Sequence, residues 1–196
     1  MSESVGTLTA YTGRMGEDRP AELWDDALRA AQDSARRLRQ AEVTPGALAA
    51  YIPAGKRLGI LPRPATMRPL GDVWRLGVLL LDTDGRLYAS GRATRAEPRG
   101  RAGYQSQSRE ERRDLAAAAL RGGYPSGTPV NFDAIPLTLE WALRAAGSDA
   151  TCPVGFTDDA LRVRWNRGAS LQGAPTLAQY LDERVRLLVD PPLGST

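Results

Sequence analysis

Apolar residues recur along this chain with two different periods, and the places where the period changes divide it into elements. Between residues 20 and 42, Trp24, Leu28, Ala31, Ala35 and Leu38 fall at spacings of four and three, which puts them on one face of an α-helix. Acids (Glu17, Asp18, Glu22, Asp25, Asp26) collect at its start and Arg36, Arg37 and Arg39 at its end, matching charge to the helix dipole. The basic run therefore has a structural explanation, with Asp33 at pairing distance of Arg36 or Arg37 along a helix. Thr44 and Pro45 read as the cap and first residue of a second, short helix through Ile52, stopped by Pro53. Two helices joined by a tight turn raise the helix-turn-helix motif. The segment that would serve as recognition helix, residues 56–61, is interrupted by Gly59 and followed by Pro62 and Pro64, which argues against a continuous rod. The expected organisation is an N-terminal arm and helical segment (1–52), a proline-rich connector (53–69) and a main body (70–196), with one domain throughout as the alternative.

The next pattern is that of a β-hairpin over residues 72–96. Residues 73–81 form one strand, apolar on both faces through Trp74, Leu76 and Val78 to Leu81; Asp82-Thr83-Asp84-Gly85 turns, and residues 86–96 return. A two-residue Asp-Gly loop and a three-residue loop with Gly85 left-handed differ by one residue in register, and such a slip exchanges the faces of Arg92 and Arg95. Ser108 with Glu111 matches a capping box and opens a helix through Leu120 that Gly122 ends. The small side chains of Ala116 to Ala119 match the small Ala89, Gly91 and Ala93, so that helix is expected to pack on the second hairpin strand. Residues 136–146 read as a helix with Leu137, Trp141 and either Leu139 or Leu143 inward. Leu161, Val163 and Trp165 alternate with Arg162 and Arg164, a half-buried strand with one guanidinium-bearing face. Thr176 with Gln179 caps a last helix whose Leu177, Tyr180, Leu181, Val185 and Leu188 form one apolar stripe. The fold class that follows is α+β: a small, mainly antiparallel sheet around the 72–96 hairpin, flanked by about five helices.

Composition narrows the chemistry. The 196 residues include no histidine, which removes imidazole acid/base work, Ser-His and Cys-His nucleophile pairs and ordinary zinc sites. Of the 26 basic residues only Lys56 is a lysine, so the cations are almost all guanidinium groups, which bind carboxylate and phosphate through a rigid fork and do not exchange protons near neutrality. Much of the Ala, Arg, Gly and Pro enrichment is what a GC-rich coding sequence gives, so position carries more weight than number. Cys152 is the only cysteine and no long apolar run or basic leader is seen, from which a cytoplasmic protein without a membrane span is expected.

The candidate ligand-binding residues are Arg92, Arg95, Arg99, Arg101, Ser108 and Arg109, with a second set at Arg162 and Arg164. Between residues 86 and 101 five arginines stand against Glu97 alone, and the loop delivers the chain to the positive end of a helix at Ser108. If the strand holding Arg162 and Arg164 joined the hairpin sheet, the two sets would merge beside Tyr88 or Tyr104, as in sites that stack a nucleic-acid base. The competing explanation for each set is a solvated charged face. Asp82, Asp84 and Gly85 resemble the start of a calcium loop, but Leu87 and Tyr88 resume a strand where further oxygen ligands are required. The glycines of 122–127 follow a helix rather than precede one and so present carbonyls, not amides. Cys152 has no base to activate it. The sequence thus leads to non-catalytic binding of an anionic, phosphate- or carboxylate-bearing ligand or an acidic protein surface, with no cofactor, no metal and no catalytic residue assigned; nucleic acid is a less favoured partner. A homodimer through the charged outer side of helix 20–42 fits the same reading. The alternatives are an enzyme using Asp158, Asp159 and Tyr124, and a structural subunit of a larger assembly.

Overall fold

The computed structural model describes residues 18–57, 61–99, 107–145, 151–157, 159–166 and 168–191. In chain order the elements are α1 (Arg19–Gln40), β1 (Gly46–Ile52), β2 (Gly55–Arg57), β3 (Leu61–Arg63), β4 (Thr66–Leu76), β5 (Leu79–Asp82), β6 (Leu87–Ala89) and β7 (Arg92–Arg95). They continue as α2 (Gln107–Arg121), β8 (Pro129–Phe132), β9 (Ile135–Pro136), α3 (Leu139–Ala145), β10 (Val154–Phe156), β11 (Leu161–Val163) and α4 (Leu177–Val189). The class is α+β, with a seven-stranded sheet of order β7-β8-β1-β4-β5-β6-β9 and two separate hairpins, β2–β3 and β10–β11. The sheet is mixed, because β1 runs parallel to β8 and antiparallel to β4.

That parallel pair and the helix count have one cause. The stretch 44–52, read from Thr44 and Pro45 as a short helix, holds β1 (Gly46–Ile52) instead, leaving four helices among the described residues rather than about five. Ala47, Leu48 and Ala49 are consecutive and all buried, the signature of a strand covered on both faces, and β8 and β4 satisfy its backbone on either side. Paired neighbours outweigh the helix preference of an Ala-Leu run. The stretch 53–69 likewise holds the β2–β3 hairpin and the start of β4, with Pro69 opposite Ala49 where the register shifts by a bulge.

The chain divides into two compact units, residues 1–44, 74–89 and 135–196, and residues 45–73 and 90–134. In the first, α1 lays Ala27, Ala31, Ala35 and Leu38 into a core with Leu76, Leu79, Leu81, Phe156, Leu181 and Val185. The expected apolar strand 73–81 is broken at Gly77, and β5 then pairs with β6 as Leu79↔Ala89, Leu80↔Tyr88 and Leu81↔Leu87. Asp82 and Arg86 close the turn through Asp82 N to Arg86 O, so the loop is the three-residue one with Gly85 left-handed at φ 88°. The returning strand ends at Ala89; β7 is a separate strand that pairs with β8. Helix α3 begins at Leu139, later than expected, because Ile135 and Pro136 are taken by pairing with β6.

In the second unit α2 covers the sheet. Leu115, Ala118 and Ala119 pack with Ala47, Ala49, Met67, Val130 and Phe132, so the alanine run allows the close approach its small volume suggests; the helix meets β7, which holds Ala93, as expected, and reaches β1 and β8 as well, whereas Ala89 belongs to the other unit. Helix α4 of the first unit has the expected capping box: Gln179 N donates to Thr176 Oγ1 at 3.2 Å and Thr176 N to Gln179 Oε1 at 3.0 Å. Its stripe ends at Val185; Leu188 is 37% exposed, in a last turn that runs past the core.

Candidate functional site

The first arginine set lies within the second unit. Antiparallel pairing of β7 with β8 sets Arg92 opposite Phe132 and Arg95 opposite Pro129. Arg92 lies over the Phe132 ring at 5.2 Å and donates to Glu111 of α2 at 2.7 Å, which fixes it on the helix-covered side of the sheet. Arg95, three residues on, points to the opposite face, where its Nη1 donates to Gly127 O at 3.0 Å. Arg99 reaches Asp114 at 2.9 Å and Glu110 at 3.8 Å. Arg101 lies outside the described residues. Ser108, expected as the helix cap, stands inside the first turn because α2 starts at Gln107, and its carbonyl accepts from Arg112 Nε at 3.1 Å. Arg109 is exposed and makes no ion pair among the described residues.

The second set is not part of that sheet. Arg162 lies in the separate β10–β11 hairpin of the first unit and Arg164 follows it, so their strand does not join the hairpin sheet, the condition on which a merged patch depended. Arg162 binds Asp159 at 2.9 Å and Ala174 O at 2.6 Å. Arg164, expected on an outward face, is only 7% exposed, while Trp165 is 72% exposed. β11 stops at Val163, and the guanidinium turns inward to bind Cys152 O, Ala145 O and Ala169 O at 3.0, 3.0 and 2.9 Å. A planar five-donor group binds the last carbonyl of α3 and two loop carbonyls. It ties the end of that helix to the loops at Cys152 and Ala169.

Charge separates between the units in a way that linear reading does not show. Residues 45–73 and 90–134 carry twelve Lys and Arg against six Asp and Glu, a net of +6, while the other unit carries 14 against 17. Lys56, Arg68 and Arg109 are exposed and make no ion pair with a described residue. Arg63, Arg95, Arg112 and Arg121 donate to carbonyls, of Pro53, Gly127, Ser108 and Ala65, which bind the guanidinium without cancelling its charge. Lys56, Arg63, Arg68, Arg112 and Arg121 escaped the sequence reading because they are scattered over the chain, and only the folding of two distant segments into one unit brings them together.

The residues considered for catalysis are engaged elsewhere. Asp159 is held below the ordinary carboxylate range by hydrogen bonds from Thr157 and then Arg162. The Tyr124 hydroxyl donates to Leu48 O at 3.3 Å, and burial, then the charge of Asp72, raises its pKa. The two lie in different units, and Asp158 is outside the described residues. The Asp82 carboxylate, at the loop that resembled a calcium site, accepts from the backbone N–H of Asp84 and Arg86 at 2.9 and 2.7 Å and from Tyr88 Oη at 3.1 Å, as a turn requires. Among the described residues no three Cys, Asp or Glu side chains are grouped to hold a metal ion, and no helix is long and apolar enough to cross a membrane. A groove of about 600 Å³ in the first unit is lined by Trp24, Leu28, Tyr88, Leu137 and Leu139, with Arg86 on its rim paired to Asp84 at 3.4 Å.

Comparison with known proteins gives no match to a family model, to a curated protein or to a solved structure.

Proposed function

We propose that this is a non-catalytic binding protein whose basic unit, residues 45–73 and 90–134, holds an anionic ligand or an acidic partner. The observation that carries the reading is the net +6 of that unit, where the rest of the chain is net negative, with Arg68, Arg95 and Arg109 uncompensated by carboxylates of the described residues. A concentration of fixed positive charge raises the local concentration of anions and speeds their encounter. Permanent protonation of arginine makes that field constant across the physiological range. The binding residues with no carboxylate partner among the described residues are Arg95, Arg109, Arg68 and Lys56, of which Arg95 and Arg109 belong to the eight the sequence suggests; Arg92 and Arg99 share their charge with carboxylates, and Arg162 and Arg164 have structural roles. We place the protein in the cytoplasm, where its single thiol, Cys152, stays reduced.

Binding of heparin and of poly-glutamate, measured by fluorescence anisotropy at low salt, tests this. Arg68→Glu and Arg95→Glu are expected to weaken it several-fold, and Arg36→Glu and Arg144→Glu, exposed in the other unit, to leave it unchanged. Affinity is expected to fall with salt as the screening length shortens to about 10 Å at 0.1 M. Equal losses from both pairs of variants, or no binding of either probe, would remove the reading.

A further inference from the structure

Strand β7 ends the seven-stranded sheet, and no described strand pairs with its outer edge. The direction of its backbone groups follows from the pairing. Ala96 N donates to Thr128 O at 3.0 Å and Ala96 O accepts from Gly127 N at 2.7 Å, so both main-chain groups of Ala96, one residue beyond the β7–β8 register, face the β8 side. Bonded and non-bonded pairs alternate in an antiparallel ladder, so Thr94↔Val130 and Arg92↔Phe132 are bonded, while Ala93 and Arg95 face positions that exchange no hydrogen bonds. The residue opposite Arg95 is Pro129, which has no N–H to give, as this phase demands. The amide N–H and carbonyl groups of Ala93 and Arg95 therefore point away from β8, toward the open edge. Both residues are exposed.

Resting on the anion-binding reading above, we infer that the β7 edge receives an extended acidic peptide as an added strand. The main chain of the peptide bonds to Ala93 and Arg95, and its carboxylates meet the guanidinium groups of Arg92 and Arg95. Those two side chains are three residues apart and lie on opposite faces of the sheet, so the peptide places acids three apart, in the pattern acid-x-x-acid, one for each face. Each guanidinium spends only part of its five donors on Glu111 or Gly127. Charge also decides against a second copy of this chain at the same edge. Every antiparallel self-pairing that uses Ala93 and Arg95 sets an arginine opposite or diagonal to its counterpart, which is unfavourable across strands.

The test uses an eight-residue, acetylated and amidated peptide of Val and Thr with Glu at its third and sixth positions. It is compared with a peptide of the same composition whose two Glu are adjacent, and with one N-methylated at alternate residues. Binding to the full chain is followed by anisotropy and by amide hydrogen exchange. The spaced peptide is expected to bind at least tenfold more tightly than the other two and to slow exchange at Ala93 and Arg95. Ala93→Pro removes one outward N–H, leaves the β8 ladder and all charges in place, and is expected to abolish peptide binding while heparin binding persists. If Ala93→Pro does not fold, the N-methylated peptide carries the same comparison. Equal binding of all three peptides, an acidic peptide held equally well by Ala93→Pro, or heparin binding with no peptide binding overturns the inference and leaves the basic unit as a surface for other polyanions. Loss of both probes overturns the anion-binding reading itself.

Discussion

Tyr180 and Gly77 hold one turn between them. Tyr180 Oη donates to Leu76 O at 2.9 Å and accepts from Val78 N at 3.1 Å, so a single hydroxyl in α4 binds both sides of the turn from β4 to β5. Gly77 lies at φ 64°, and a Cβ there would collide with that hydroxyl. Gly77→Ala is expected to cost about 2–4 kcal/mol, from the left-handed backbone and the displaced phenol together. Tyr180→Phe, which leaves the Leu76 carbonyl and Val78 amide unpaired, is expected to cost about 1–3 kcal/mol. Urea denaturation of the two variants and of the double variant checks this; additive losses would show that the residues act independently.

Arg164 gives the largest expected loss of any arginine. Removing a buried cation that binds three backbone carbonyls leaves those acceptors without donors. Arg164→Ala is expected to destabilise by about 3 kcal/mol or more, and Arg164→Lys by nearly as much, since an ammonium cannot span the same three oxygens in one plane. Arg162→Ala, at a pair whose carboxylate is open to water, is expected to cost far less. Thermal melts that rank the two in the reverse order would show that the carbonyl contacts are incidental.

The capping box of α4 predicts a smaller, local effect. Thr176→Ala removes the acceptor for Gln179 N and is expected to lower stability by about 1 kcal/mol, whereas Thr176→Ser keeps the oxygen and most of the stability. Amide exchange in the first turn of α4 is the direct measurement. Faster exchange there in the alanine variant alone is the expected result.

Stability is expected to fall at both ends of the pH range. Hydrogen bonds from Arg37 and Arg186 hold the Asp182 carboxyl below its ordinary 3.8, and Thr157 and Arg162 do the same for Asp159. A lowered pKa in the folded state stabilises above the unfolded value, and that contribution is lost as pH falls through the folded one. Burial first, and then Asp82, raises the Tyr88 pKa above 10.0, with burial and Asp72 raising that of Tyr124. Those groups favour folding below the unfolded value, and their contribution is lost as pH rises through the folded one. Melting temperature is therefore expected to be level from about pH 5 to 9 and to decline on either side. Asp182→Asn is expected to shallow the acid limb and Tyr88→Phe the alkaline limb; unchanged limbs would assign the declines to other groups.

Helices were the most legible part of the chain. The start and end of α1, and the cap and most of the stripe of α4, follow from local spacing and charge, which act over one or two turns and need no distant partner. The tight turn at residues 82–85 was equally local, though its register waited on the Asp82–Arg86 pair. β1 was not legible, because Ala47 to Ala50 favours a helix, Tyr51 and Ile52 alone are too short a signal, and the stretch becomes a strand only between β8 and β4. Arg164 was misplaced for a related reason: alternation predicts where a side chain points while a strand continues, and β11 ends one residue before it.

By itself the sequence determined the chemistry available to this protein: no imidazole, one thiol, and positive charge carried almost wholly by groups that stay protonated. Those are properties of residue type and are unchanged by folding. Only the tertiary structure decided which of these charges are used internally and which face outward. Pairing of a guanidinium with a carbonyl, a carboxylate or water depends on contacts between segments far apart in the chain, and the same assembly gathered residues 45–73 and 90–134 into one basic unit.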